Sequence, residues 1–481
     1  MPATEATNLV GGAWVGGTTE VEVRDPSTGE VVGTVQAAGR ELAREAADRA
    51  AEALPAWSGT TARRRADVLH AAAAALRSRR GELGTLLARE AGKRLPEALG
   101  EIDFSAEYLR WFAEVARRPT GEIHAPEAPG RRHLSVRRPT GVAVSLTPWN
   151  FPVSIQARKL APMLAAGCTV VARTSQQAPL AATELVRCLA EAGLPDGAIN
   201  LVHGPAGEQT TALLDHPAVR VVSFTGSTAV GRSVAERAGA RLVRPLLELG
   251  GNAPFVVLDD ADLDAAVEGA VLGRLRNTGQ SCVAANRFYV HRAVAGEFAE
   301  RLAAAFDALR LGPAVPDDGE PQADLGPMID EAAAARVRDL VAGAVSRGGE
   351  LLTRRTDAPA EGCFLAPALV AVADPQDPLV TTEVFGPAAG IVTVDDEDEA
   401  YALANASEQG LAAYAWTRDA TRAWRASERL EAGVVGINDP LPSVAFAPMG
   451  GINQSGLGRE GADIGMHEFQ DVRHVAWRDG P

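Results

Sequence analysis

The 481-residue sequence predicts an α/β protein: a doubly wound parallel sheet followed by a second α/β unit. Three observations predict it. Short apolar, β-branched runs alternate with helical stretches from Leu134 onward, the signature of βα units whose strands pair in parallel. A second alternating series starts after Gly251. The length exceeds one ordinary core, so two or three units are expected.

Each element follows in order. Residues 40–117 are dominated by alanine, glutamate, arginine and leucine and read as helices packed on the sheet. LSVRRPTGVAVSLTP reads as extended, and VSIQARKLAPMLAAG as a helix stopped by Gly167. TVVART, AINLVHG, VRVVSFTG and RPLLELGG read as strands, separated by the helical stretches APLAATELVRCLAEAG, EQTTALLDHP and STAVGRSVAERAGA. The second series runs from APFVVLDD to about Asn438. A seam between two α/β units is a natural place for a site. The tail HEFQDVRHVAW alternates apolar and polar residues like an edge strand, which invites pairing with another subunit.

Composition excludes several classes. With 46% hydrophobic and 23% charged residues the chain is globular in character. Net charge is −15, and no basic run is longer than RRR at 63–65, so neither nucleic acid nor an anionic membrane is an expected partner. The longest uncharged run, 139–157, contains Pro148, Asn150 and Pro152 and is poor material for a membrane helix. The N-terminus lacks a basic head followed by an apolar core, so a cytoplasmic location is expected. Cys168, Cys188, Cys282 and Cys363 are widely spaced, with no CxxC pair and no histidine at metal spacing; neither a metal site nor a disulfide framework is expected. Only Lys93 and Lys159 are lysines among 47 basic residues, so an arginine where lysine is usual carries little weight by itself.

Some residues suit chemistry. Cys282 lies in the polar, glycine-bearing stretch RNTGQSCVAANR, open to reading as a nucleophile or as an inert small residue. Glu248 ends an apolar strand before Gly250 and Gly251, either as a surface carboxylate or as a general base given room to swing. Asn150 stands between prolines in TPWNFP, where a rigid amide suits an oxyanion donor or a simple turn. In SFTGSTAVGR, Gly226 and Gly231 flank a strand-to-helix turn at which backbone N–H groups could approach a phosphate.

Together, TPWNFP, GSTAVG, LELGGNAP, GQSC, EVFGP and PMGGINQSGLGRE resemble, in order and spacing, the motifs of the aldehyde dehydrogenase superfamily over essentially the whole chain. The resemblance implies that Cys282 attacks an aldehyde, that Asn150 and the Cys282 backbone hold the oxyanion, and that Glu248 activates the water that hydrolyses the thioester. That glutamate implies release of a free acid rather than transfer to coenzyme A. It places Trp149, Gly226, Ser227, Gly231, Leu249, Glu383 and Phe385 against an NAD or NADP cofactor. Three regions follow: a cofactor domain of 1–121 and 140–250, a catalytic domain of 251–454, and an oligomerisation arm of 122–139 and 455–481, with a homodimer or homotetramer expected.

The segment around Cys282 further resembles succinate-semialdehyde dehydrogenases, and the resemblance assigns Arg158, Arg276 and Ser443 to the substrate's carboxylate. Glutarate semialdehyde, a phosphonate-bearing aldehyde, and a neutral or aromatic aldehyde stay open, as does a binding or structural protein that kept the fold. VVARTSQQAP stands where the family reads KPSE. Arg173, Ser175 and Gln176 there would remove the negative charge that repels a 2′-phosphate, so NADP should be accepted. Ala284 takes the place of a second cysteine, so a regulatory disulfide is not expected. Met449 replaces a phenylalanine and reshapes the pocket.

Overall fold

The computed structural model describes residues 4–118, 121–316, 322–355 and 357–478. Residues 1–3 and 479–481, assigned from sequence to the ends of the cofactor domain and the arm, lie outside this set, as do 119 and 120 at their junction.

Five parallel strands form the heart of the first sheet: Val142–Leu146, Thr169–Arg173, Ile199–Val202, Val219–Thr225 and Arg244–Glu248. The chain begins this set at Val142–Leu146, winds outward through Thr169–Arg173 and Ile199–Val202, then returns to the other side through Val219–Thr225 and Arg244–Glu248. The winding direction therefore reverses between Val142–Leu146 and Val219–Thr225. A crevice opens at the carboxyl ends of two such strands because their connections leave in opposite directions. Asn8–Val10 and Ala13–Val15 extend one edge in antiparallel fashion. Gly456–Leu457 extends the other, against Leu247 and Glu248.

The helices Ala62–Ser78, Arg80–Ala91 and Leu95–Val115 bury alanine and leucine faces against the helix Pro152–Ala166 and one face of this sheet. Every residue of Pro152–Ala166 is buried, and Gly167 ends it in the left-handed region (φ 92°) where a side chain would be strained. Two buried glutamates start helices from a distance. Glu101 accepts from the Val153 and Ser154 N–H groups, and Glu90 from those of Leu180 and Ala181. Each carboxylate satisfies N–H groups that the first helical turn leaves free.

The second sheet has seven strands, in the order Glu350–Leu351, Ala368–Ala371, Ala388–Val394, Ala285–His291, Ala253–Val257, Ala412–Trp416 and Val434–Ile437. All neighbours but the first pair are parallel. Phe255 stacks among Phe288, Phe298, Tyr414 and Trp416 to fill its core. A separate three-stranded sheet joins Gly121–His124, Arg131–Pro139 and Gln470–Arg478.

One boundary differs from the sequence expectation. The segment 455–469, expected in the arm, lies against the first sheet: Gly456–Leu457 pairs with its edge strand, and the helix Ala462–His467 packs on the helices Leu95–Val115 and Pro152–Ala166. The C-terminal arm strand starts at Gln470. The pairing that decides this spans some two hundred residues and leaves no local trace.

Candidate active site

Cys282, Glu248 and Asn150, which the sequence places far apart, converge. Glu248 is the last residue of a strand beside the switch point and is 1% exposed. The Cys282 thiol donates to its Oε1 at 3.2 Å. Burial pushes the Cys282 thiol well above its ordinary range, and the Glu248 charge adds to the shift. Cys282 is therefore held as a neutral thiol in contact with the Glu248 carboxyl.

The glycines beside Glu248 serve close approach. Neither Gly250 nor Gly251 has positive φ. A Cβ on Gly251 would lie 2.1 Å from the Cys282 carbonyl oxygen, and one on Gly250 2.7 Å from a Glu383 oxygen. The swing suggested by a Gly-Gly pair gives way to a clamp: Leu249 donates to the Ser455 carbonyl at 2.9 Å, and the Ser455 hydroxyl to the Gly250 carbonyl at 2.7 Å.

Cys282 stands behind a left-handed turn. Asn277, Thr278 and Gly279 take φ of 52°, 57° and 74°, a run that costs roughly 1–2 kcal/mol for each non-glycine residue. Side chains hold it open. Asn277 donates to the Asn150 and Gln280 carbonyls, and Thr278 to Gly326. Arg274, fully buried, donates to the carbonyls of Ala285, Gly279 and Gly386 and so ties the Cys282 loop to the EVFGP loop.

Asn150 donates one amide N–H to the Gln280 carbonyl at 3.1 Å, leaving its second available. The main-chain carbonyl of Asn150 accepts from Lys93 Nζ at 2.8 Å. Lys93 also pairs with Glu101 and lies 3.8 Å over the Phe151 ring. Asn150 is thus held at its main chain by Lys93 and at its side chain by the Gln280 carbonyl.

A cavity of about 350 Å³ opens on Cys282, lined by Trp149, Asn150, Gly226, Ser227, Leu249, Glu383 and Phe385 among others. Trp149 meets Phe385 edge-on at 5.7 Å, and Phe385 holds a left-handed φ of 50°. Glu383 accepts from the Gly251 N–H at 3.2 Å, and burial raises its carboxyl to about 7. Arg336, missed from sequence, fixes this loop by donating to the Glu383 and Val384 carbonyls.

Across the turn Gly226–Ser227 lies a second cavity of about 630 Å³, walled by Arg173, Phe224, Val230 and Val234 among others. Between the two stands the N-terminus of the helix Thr228–Gly239, capped by the Ser227 side chain. Gly231 lets this helix approach, since a Cβ there would sit 2.2 Å from Leu249. Ser175 and Gln176 are half-buried and outside the wall of this second cavity.

The expected carboxylate-binding residues divide. Arg158 is 7% exposed and joins the catalytic pair directly, its Nη2 lying 3.2 Å from Glu248 Oε2 and its Nε 2.5 Å from Glu460 Oε2. Arg276 lies 4.8 Å over the Phe151 ring and lines an open groove with Arg94 and Arg301. Ser443 is half-buried beside the Met449 sulfur.

The sequence reading missed Lys159 and Glu460. They form a buried ion pair, and both bond Ser223. One signal was available: the only two lysines of this arginine-rich chain are both fully buried, one on the Asn150 loop and one beside Arg158 and Glu460. A branched guanidinium would not fit where a compact ammonium does.

Fold and site together set a buried thiol–carboxylate pair on a cavity beside a capped helix N-terminus, at the switch point of a doubly wound sheet. The family model described as "Aldehyde dehydrogenase family" matches residues 14–475, and the chain belongs to that family. It is 42% identical to the glutarate-semialdehyde dehydrogenase of Pseudomonas putida KT2440, covering 95% of this chain and 94% of that one. It is 39% identical to the succinate-semialdehyde dehydrogenase [NADP(+)] of Escherichia coli K12, covering 97% and 96%. The crystal structure of succinate-semialdehyde dehydrogenase from Burkholderia pseudomallei superposes with a TM-score of 0.95 at 40% identity, covering 99% and 98%.

Proposed function

We propose that this enzyme oxidises a small anionic semialdehyde, succinate semialdehyde first among candidates, to the free dicarboxylic acid with NAD or NADP. The observation that carries the reading is the buried chain Cys282–Glu248–Arg158, in which nucleophile, base and a guanidinium are linked by successive 3.2 Å contacts. A guanidinium at that depth suits a substrate with a carboxylate.

In this reading Glu248 takes the thiol proton and Cys282 adds to the aldehyde carbon. The free N–H of Asn150 bonds the resulting oxyanion, a contribution worth roughly 3–4 kcal/mol when preorganised. The nicotinamide cofactor, when bound, supplies the hydride acceptor that converts this adduct to a thioester. Glu248, having shed its first proton, takes a second from water as that water attacks the thioester, and Cys282 leaves. The presence of Glu248 favours hydrolysis over acyl transfer to coenzyme A.

The two cavities flanking the capped helix N-terminus suit the two halves of a dinucleotide, with its phosphates at the helix end. The buried Thr225 hydroxyl beside them has no hydrogen-bond partner. Arg173 supports acceptance of NADP. Its guanidinium has no ion-pair partner among the described residues, its Nε is unbonded, and burial lowers it to about 10. A 2′-phosphate would answer that desolvated charge.

The arm supports assembly into a dimer or tetramer. Its cross-strand row Ile123–Leu134–Val475 and the nearby Trp477 present apolar surface, Ile123 being 83% and Trp477 59% exposed. Such a patch on an open edge is suited to burial against another copy.

Initial rates with succinate semialdehyde and butanal test the substrate reading. An advantage of at least about a hundredfold in kcat/KM for the acid, roughly 2.7 kcal/mol, is expected. Equal values would leave the family's chemistry standing and remove the anionic substrate.

A further inference from the structure

Arg158 touches two groups that an arginine kept solely for substrate binding would not need. It pairs with Glu460, whose carboxyl the adjacent Lys159 and Arg158 hold down at about 2 against the opposing effect of burial. It also pairs with Glu248, the base. Two buried cations, Arg158 and Lys159, face two buried carboxylates, Glu248 and Glu460, so the cluster is neutral as it stands. Beside it lies Tyr108, 1% exposed, its hydroxyl within reach of the Arg158 guanidinium but making no well-formed hydrogen bond among the described residues. A buried hydroxyl with no well-formed bond, next to a guanidinium, is a berth for a polar group that is not part of the protein.

We infer that Arg158 couples recognition of the substrate's carboxylate to release of the base. The carboxylate bonds Arg158 and the Tyr108 hydroxyl, and in doing so draws the guanidinium from Glu248. This inference rests on the anionic-substrate reading above and adds a consequence to it. The Arg158 guanidinium occupies Glu248 Oε2 and the Cys282 thiol its Oε1, so neither oxygen is open to a water while Arg158 stays in place. Glu248 is therefore restrained in the resting enzyme and active once an acid occupies the site. In the step concerned, a water O–H bond breaks and its proton goes to Glu248. The water oxygen bonds the thioester carbon, the C–S bond breaks, and the electron pair returns to the Cys282 sulfur. A neutral aldehyde would still form a thioester on Cys282, but would leave Glu248 held and the thioester long-lived.

The test follows decay of the acyl-enzyme by acid quench and intact-protein mass, after a single turnover with succinate semialdehyde or butanal. The succinyl enzyme should decay at least about tenfold faster than the butanoyl enzyme. Acetate, small enough to occupy the carboxylate berth beside a butanoyl group, should speed the slow decay several-fold. Tyr108→Phe, which keeps ring and packing, should lower kcat/KM for succinate semialdehyde about tenfold more than for butanal, the loss of one charge-assisted bond. Equal decay constants with no effect of acetate would overturn the coupling even if kcat/KM still favoured the acid. An equal loss for both aldehydes in Tyr108→Phe would overturn the role of that hydroxyl. Loss of the kcat/KM preference in the native enzyme would instead remove the substrate reading itself.

Discussion

At the scale of single residues, the site joins a reluctant thiol to a buried base. Glu248→Gln should lower kcat by about 10²–10⁴, the usual contribution of a general base. Because the Glu248 charge also raises the Cys282 thiol, the same variant should be alkylated by iodoacetamide at lower pH than the native enzyme. A rate profile that moved to higher pH would contradict this. Glu383 carries a second pH signature. Its carboxyl is raised to about 7 by burial, so it is ionised above that pH and neutral below. If it accepts bonds from the cofactor's ribose, cofactor affinity should strengthen as pH rises through about 7, and Glu383→Gln should flatten the curve. Lys93→Met would leave Glu101 buried without its cation, at a cost of about 3–5 kcal/mol read by thermal unfolding.

At the scale of elements, the catalytic geometry depends on backbone contacts that permit no side chain. Gly251→Ala would press a methyl group into the Cys282 carbonyl. A displacement of about 1 Å at a reacting group costs on the order of a hundredfold in rate. The expected result is a large loss of kcat with cofactor affinity retained, measured by steady-state kinetics and cofactor titration. The motifs were readable because such elements place function beside strand ends. TPWNFP follows Val142–Leu146, GSTAVG follows Val219–Thr225, and LELGG ends Arg244–Glu248. Alternating apolar runs revealed the five parallel strands of the first sheet and the helices between them, but not its antiparallel edge strands Asn8–Val10 and Ala13–Val15. They did not reveal that Gly456–Leu457 completes it, because two residues carry no period.

For the whole molecule, acid should be destabilising in a defined window. His203 is fully buried and neutral, its imidazole lowered to about 3 from 6.5, and Glu460 is lowered to about 2 from 4.5. Both folded values are depressed, so the unfolded chain binds more protons as pH falls. His203 contributes stability that is lost between 6.5 and 3, and Glu460 between 4.5 and 2. Between pH 4.5 and 3 both act, and stability should fall by about 2.7 kcal/mol per pH unit from these two groups. Denaturant titrations across that range should find the slope halved in His203→Asn. Assembly is the second property at this scale. Ile123→Asp with Trp477→Asp should shift the enzyme toward monomer by light scattering, and an unchanged mass would remove the arm from the interface.

The sequence by itself determined the layered α/β plan and singled out Cys282, Glu248 and Asn150, because motifs are local and strand periodicity survives in any context. It also marked Arg158 as a residue of interest. Only the tertiary structure decided what Arg158 does. Its partners Glu248 and Glu460 lie 90 and 302 positions away, and Tyr108 comes from a different helix. The same holds for Lys159 and Arg274, whose buried charges meet Glu460 and the Gly386 carbonyl from distant segments, and for Lys93, which the Asn150 carbonyl meets in addition to the nearby Glu101. Burial and long-range pairing set the energy of a charged group, and neither is written in the residues beside it.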